Sequence, residues 1–131
     1  MNNQLDIIKD THSEDANSDL LILVDSDDQE IGLMDKTLCH EDQGKLHRAF
    51  SIFLFNRSGE VLIQQRATSK LLWGDFWSNT CCSHPRAGES IDSAASRRIE
   101  EELGIQAELS FIYKFEYQAR FNEQLSENEL C

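Results

Sequence analysis

Ala49-Phe50-Ser51-Ile52-Phe53-Leu54-Phe55 is an almost unbroken apolar and aromatic run. A short run of this kind with no polar face suits a central strand covered on both sides. Asn56-Arg57-Ser58-Gly59 follows, and Asn and Gly tolerate the left-handed backbone that a tight turn needs. Val61-Leu62-Ile63-Gln64-Gln65-Arg66 then returns as the hairpin partner. A second constraint comes from Ser90 to Leu103, where Ile91, Ala94, Ala95, Ile99 and Leu103 fall at helical spacing. Ser90 is placed to cap this helix and Gly104 to stop it. Its other face pairs Arg97 with Glu101 and Arg98 with Glu102 at i,i+4, which on composition alone reads as a solvated face.

The flanking segments add strands. Leu20-Leu21-Ile22-Leu23-Val24 reads as a buried strand that ends at the acidic turn Asp25-Ser26-Asp27-Asp28. A second short strand from Ile31 to Met34 would complete a hairpin. The turn has neither the glycine nor the closing glutamate of a calcium loop. Phe111, Tyr113, Phe115 and Tyr117 alternate with Ile112, Lys114, Glu116 and Gln118, a period of two that predicts one long strand. Strands around one good helix give an α/β (α+β) chain. Residues 1–18 read as a flexible arm and 19–131 as the single domain that 131 residues, 40% of them hydrophobic, can support.

Charge narrows the function. Lys plus Arg number 12 against 24 Asp plus Glu, a net charge of -12 that disfavours nucleic acid and anionic membranes as partners. An anionic substrate must then meet a local cluster of cations or a metal. Four cysteines, two of them adjacent, do not form a disulfide framework and imply a reducing compartment. Neither a signal peptide nor a membrane span is expected, because Leu5–Ile8 is interrupted by Asp6. A cytoplasmic protein follows.

Chemistry concentrates in Asn79-Thr80-Cys81-Cys82-Ser83-His84-Pro85. On an extended segment Cys82 and His84 share one side, while Cys81 points to the other. At this level a catalytic thiol beside a metal ligand, two structural zinc ligands and plain burial all remain open. Glu127 and Glu129 also lie two apart, so as strand residues they face one way and can share a metal; a solvated acidic tail is the plainer reading.

The helix resembles the Nudix signature. Glu89, Arg97, Ile99, Glu101, Glu102, Gly104 and Ile105 fit its register, whereas Ser83 stands at its opening glycine and Arg98 at a glutamate. Replacing a metal-gathering glutamate by arginine favours holding a diphosphate over cutting it. Leu46-His47-Arg48-Ala49-Phe50-Ser51, Gln65-Arg66-Ala67-Thr68-Ser69-Lys70, the stretch from Trp77 to Pro85, and Glu127-Asn128-Glu129 together resemble the type I isopentenyl diphosphate isomerases.

That resemblance implies a Nudix-type α/β/α sandwich with a mixed sheet. It implies a metal site of His40, His47, His84, Glu127 and Glu129, a set that accepts zinc, manganese or magnesium. Glu102 would hold a second ion, magnesium, that bridges to the substrate diphosphate, with Lys36, Arg66, Lys70 and Arg98 as the surrounding cations. Cys82 would be one proton-transfer group and Glu129 with Tyr117 the other. Trp77 and Phe50 are the aromatic candidates beside a carbocation, and Cys39 and Cys81 are packing residues. The substrate is a small molecule and the protein is expected to be a monomer. Family members run on past Glu129 through a further segment, so the resemblance also implies that this chain is a fragment. Two other readings stand beside it: a Nudix hydrolase of a nucleoside diphosphate derivative, and a zinc module built from Cys39, His40, Cys81, Cys82 and His84.

Overall fold

The computed structural model describes residues 20–131; the expected arm at residues 1–18 lies outside them. Strands β1 (Leu20–Val24) and β2 (Glu30–Asp35) form the expected antiparallel hairpin. β1 is apolar throughout and buries Leu21, Ile22 and Val24, while β2 is an exposed edge. Asp35 then caps the single turn α1 (Lys36–Cys39), accepting from the Thr37 amide at 2.9 Å.

β3 (His47–Arg48) leads into β4 (Phe50–Ile52), and β5 (Gln64–Gln65), β6 (Trp77–Ser78) and β7 (Cys81–Ser83) follow. Helix α2 (Ile91–Leu103) precedes the hairpin of β8 (Glu116–Arg120) and β9 (Ser126–Leu130). The main sheet runs β2-β1-β3-β9-β8, and it is mixed because β3 pairs antiparallel with β1 but parallel with β9. β4 pairs with β7, and β5 with β6, as two small antiparallel ladders. The result is an α+β fold.

α2 has the expected boundaries. Ser90 Oγ accepts from the Ser93 amide at 3.2 Å, and Gly104 closes the helix at φ +69°, where a Cβ would be strained. Its inner face packs Ala94, Ala95 and Ile99 against Phe50, Ile52 and Cys81, so the helix and the β4–β7 ladder share one core. A second cluster, Ile22, Val24 and Leu130, ties β1 to β9.

Two strand expectations are corrected. Only Phe50–Ile52 of the apolar run is strand, and Phe53 and Phe55 are 57% and 65% exposed rather than covered on both faces. The turn itself forms, with Asn56 Oδ1 accepting from the Ser58 and Glu60 amides at 2.9 Å. Beyond it the Thr80 hydroxyl takes the Leu54 amide at 2.9 Å and donates to the Leu62 carbonyl, joining the two arms through a side chain. The arms also meet directly, through the antiparallel Phe55–Val61 bridge and the Leu62 amide donating to the Leu54 carbonyl at 2.9 Å, so the expected hairpin forms, and beyond it Gln64–Gln65 pairs with β6. The predicted strand from Phe111 to Gln118 begins only at Glu116, because β9 supplies partners from Phe115 onward, and Phe111, Ile112 and Tyr113 are exposed.

Candidate active site and metal centre

The strand pairings gather the chemistry at one end of the main sheet. β3 and β9 run parallel with His47 opposite Glu129, and alternation along β9 sets Glu127 on the same face as Glu129. His84 enters from the end of β7, and His40 from the C-terminal end of α1. One ligand atom from each of His47, His84, Glu127 and Glu129 lies within 4.8 Å of the others. His40 Nε2 meets Glu127 Oε1 at 2.6 Å, which brings in the fifth expected residue.

Backbone carbonyls aim the imidazoles. His47 Nδ1 faces the Lys45 carbonyl at 2.8 Å and His40 Nδ1 faces the Lys36 carbonyl at 2.6 Å. A ring that donates from Nδ1 presents Nε2 as the ligand atom, the arrangement that orients metal-binding histidines. His47 Nε2 lies 3.3 Å from Glu127 Oε1 and 3.2 Å from His84 Nε2, and His84 Nε2 lies 3.1 Å from Glu129 Oε1. Three nitrogens and two carboxylates suit a hard-to-borderline divalent ion. The donor set and its spacing fit a metal.

The electrostatics agree. Burial would lower His47, but its contacts with Cys39, Glu127 and Glu129 outweigh that and push its pKa up to about 12. Burial would raise Glu129, yet His47, His84 and Tyr117 hold it well below the usual carboxylate range. Glu127 is likewise held down by His40 and His47 against its burial. Burial keeps His84 low and therefore neutral. Two carboxylates held ionised and one histidine held protonated mark a place that demands positive charge, which a divalent ion can supply in place of the proton.

A cavity of about 600 Å³ opens on this cluster. Cys82 lies on its wall together with Glu129 and Tyr117. Glu129 divides its oxygens: Oε1 faces the histidines, and Oε2 accepts from the Tyr117 hydroxyl at 2.7 Å and lies 3.5 Å from Cys131 Sγ. Burial raises the Tyr117 hydroxyl, and the Glu129 charge raises it further, so it stays protonated. Burial also raises the Cys82 thiol, against the lowering effect of Ser51 and Asn79.

Lys36, Arg66, Lys70 and Arg98 all reach the cavity, as does Trp77, which is 65% exposed. Arg66 and Arg98 also brace the protein. Arg66 donates to the Trp73 and Leu72 carbonyls at 3.2 and 3.0 Å, bracing its own loop. Arg98 bonds Glu101 at 2.6 Å and also Glu102. Arg86 and Arg97 reach the wall as well, unforeseen from the sequence.

Some expectations are corrected. The Arg–Glu face of α2 is half-buried rather than solvated, with side chains 10–21% exposed, because the loop after β7 lies over it. Glu101 stands on the cavity wall, and Glu102 lies behind it, bonded to Arg98 and accepting at Oε2 from Gln64 Nε2 at 3.0 Å. Phe50 is 6% exposed and belongs to the core beneath α2, so it cannot face a carbocation. Among the described residues no cysteine joins the ligand cluster, which removes the zinc module. Cys39 and Cys81 are buried, as expected of packing residues.

Sequence reasoning gave no role to Ser51, Gln64 or Asn79. Cys82 Sγ donates to Asn79 Oδ1 at 2.8 Å, with Ser51 Oγ at 3.6 Å. The Ser51 and Gln64 contacts depend on segments brought together by the β4–β7 and β5–β6 ladders, whereas the Asn79 contact is local, three residues along, but needs the amide held by the Ile52 and Cys81 carbonyls.

A match to the NUDIX domain spans residues 45–130, and the chain belongs to this family. Within it, the chain is 50% identical over 113 residues to isopentenyl-diphosphate Delta-isomerase 1 of Photorhabdus laumondii, covering 85% of this chain and 64% of that one. It is 52% identical over 111 residues to the isopentenyl-diphosphate Delta-isomerase of Serratia proteamaculans, covering 85% and 62%. The chain thus spans somewhat over six-tenths of the length of these curated relatives. A crystal structure of DR0079 from Deinococcus radiodurans shares the fold, with a TM-score of 0.59 at 21% identity over 85% of this chain and 70% of that one.

Proposed function

We propose that this domain interconverts isopentenyl diphosphate and dimethylallyl diphosphate by moving protons on and off carbon. The observation that carries the reading is the cavity itself, which sets the Cys82 thiol and the Glu129–Tyr117 pair around one space beside a His/Glu cluster. The relatives named as isopentenyl-diphosphate Delta-isomerases support it at 50–52% identity.

The chemistry follows from what an alkene demands. An unactivated double bond is a weak base, so its protonation needs a positioned acid in a site that restricts water. Cys82 gives a proton to the terminal methylene carbon and leaves a tertiary cation. The base on the other side then takes a proton from the neighbouring methylene, restoring a double bond one position along. Glu129 Oε2 is that base, and Tyr117 orients the oxygen through its 2.7 Å hydrogen bond. In the reverse direction the roles exchange. The face of Trp77 is the group offered to the cation, a contact worth about 2 kcal/mol when desolvated, and it presents no nucleophile that would trap it.

The remaining groups hold the diphosphate. Lys36, Lys70, Arg66 and Arg98 supply the local cations that a chain of net charge -12 needs to take up an anion. The side chains of His40, His47, His84, Glu127 and Glu129 would hold zinc, manganese or magnesium, and that ion would set the protonation of Glu129. Glu102, held below the usual carboxylate range by Arg98 and Gln64 against its burial, would hold a magnesium ion toward the diphosphate. We read residues 19–131 as one domain, on the strength of the core shared by α2 and the β4–β7 ladder, and the protein as a cytoplasmic monomer. Among the described residues no helix is long and apolar enough to cross a membrane.

The test is incubation with isopentenyl diphosphate and magnesium, scored for the allylic isomer against released phosphate. Isomer without phosphate is expected, and Cys82→Ala and Glu129→Gln each abolish it in protein that stays folded. Full turnover by Cys82→Ala, or phosphate release, overturns the reading.

A further inference from the structure

Asn79 lies in the short link between β6 and β7, one residue beyond Ser78. Its side-chain nitrogen faces two backbone carbonyls, those of Ile52 at 2.9 Å and Cys81 at 3.3 Å. These residues are partners in one rung of the β4–β7 ladder, so both acceptors are fixed by the sheet. A flipped amide would set its oxygen against two carbonyl oxygens, and the network therefore assigns the orientation. Both amide protons are used, and Oδ1 is left facing Cys82 Sγ at 2.8 Å as an acceptor only. Ser51, opposite Cys82 in the same ladder, offers its hydroxyl at 3.6 Å.

We infer that Asn79 is a positioning residue that fixes the side-chain rotamer of Cys82 and aims its S–H bond, with Ser51 as a weaker second support. The inference rests on the reading of Cys82 as a proton-transfer group. Among the described residues neither Asn79 nor Ser51 lines the cavity, whereas Cys82 does. Asn79 therefore acts through the sulfur, without touching substrate. The diphosphate cations come from α1, α2 and the Arg66–Trp77 loop, whereas Asn79 sits in the link between β6 and β7 and uses its amide on the β4–β7 ladder and Cys82. Binding and positioning are consequently carried by different parts of the fold, and a change at Asn79 separates them.

The experiment measures two things in Asn79→Ala and Asn79→Asp, the second of which keeps the size but loses the two donors. The first is the set of Hα–Hβ couplings of Cys82 in cysteine-labelled protein, which reports its rotamer whether or not the protein turns over. The second is steady-state conversion of isopentenyl diphosphate with magnesium. A single rotamer in the wild type should become averaged in the variants. The value of kcat should fall about 100-fold, the cost of a misplacement near 1 Å, with KM held within about twofold. Unchanged couplings in a folded variant overturn the inference, as does a kcat loss matched by a rise in KM. Failure of both variants to fold also overturns it, because Asn79 would then be a staple of the ladder. If the wild type makes no isomer, the isomerase reading fails, while the couplings still decide the role of Asn79.

Discussion

Glu89 holds the loop that follows β7 against α2, and its replacement by Gln gives a quantity that the structure fixes in advance. Oε1 accepts from the Arg86 amide at 2.9 Å and from Arg97 Nη2 at 2.9 Å, while Oε2 accepts from Arg97 Nε at 2.8 Å. Gln keeps one acceptor oxygen and turns an amide donor toward a guanidinium that also only donates. The Arg97 Nε bond is lost and the Nη2 bond is left with a neutral acceptor, so of two charge-assisted bonds, each nominally about 1.5–3 kcal/mol, one is removed and one weakened, with a donor now facing a donor. The two side chains are 17% and 21% exposed, so solvent screening brings each loss down to about 1 kcal/mol. The expected destabilisation at pH 7 is about 2 kcal/mol, which for a domain of this size lowers Tm by roughly 8 °C.

The same pair predicts a pH signature. The Arg97 guanidinium holds the Glu89 carboxyl below its ordinary 4.5, against a smaller effect of burial. A depressed carboxyl stabilises the fold above its unfolded pKa and loses that contribution as pH falls through the folded value. The Tm gap between wild type and Glu89→Gln should therefore be full near pH 7, begin to narrow as pH falls past the ordinary 4.5, and close only below the lower folded value. Thermal unfolding followed by circular dichroism measures both, and a double-mutant cycle with Arg97→Met isolates the pair. A coupling below about 0.3 kcal/mol, or a Tm gap independent of pH, would refute this account of the clamp.

Three further outcomes follow from other parts of the site. A Cβ on Gly74 would lie 2.8 Å from the Thr68 carbonyl and 3.3 Å from that of Ala67, both backbone atoms, so Gly74→Ala must displace the loop that carries Lys70 and Trp77; KM should rise about tenfold, by the 1.4 kcal/mol that one shifted charge contact is worth, as steady-state rates would show. Removing divalent metal with a chelator should lower Tm, because an ion at 100 times its Kd stabilises by about 2.7 kcal/mol, and calorimetry with zinc or manganese restores it. Tyr117→Phe deletes the 2.7 Å bond to Glu129 Oε2 and should reduce kcat roughly 10- to 100-fold, the kinetic equivalent of one charge-assisted hydrogen bond.

How much of this was legible in the sequence depended on whether the cause was local. α2 could be read to the residue because its caps and its apolar period lie within the helix. Cys82 and His84 on one side, with Cys81 on the other, needed only the alternation of an extended segment. The Glu127–Glu129 pair was visible, but its partnership with His47 follows from a parallel β3–β9 pairing that no local pattern encodes. The hairpin of the run from Ala49 was legible from its turn, but not the exposure of Phe53 and Phe55, nor the Thr80 hydroxyl that bridges the Leu54 amide and the Leu62 carbonyl from far along the chain. Phe50 looked like a candidate for the cation because an aromatic residue in a motif carries no label for the face it occupies; the core under α2 claims it. The family resemblance likewise named Arg66 and Arg98 as diphosphate cations without showing that each also braces the protein.

The central claim is that two protein groups around one cavity exchange protons with carbon. Conversion of isopentenyl diphosphate by the full-length protein in deuterium oxide, followed by proton and deuterium NMR, tests it most directly. The account predicts dimethylallyl diphosphate with deuterium in a methyl group, since the proton delivered comes from a thiol in exchange with solvent. Isomer formed without deuterium would mean a direct shift within the substrate, and no isomer with released phosphate would mean hydrolysis; either result contradicts it.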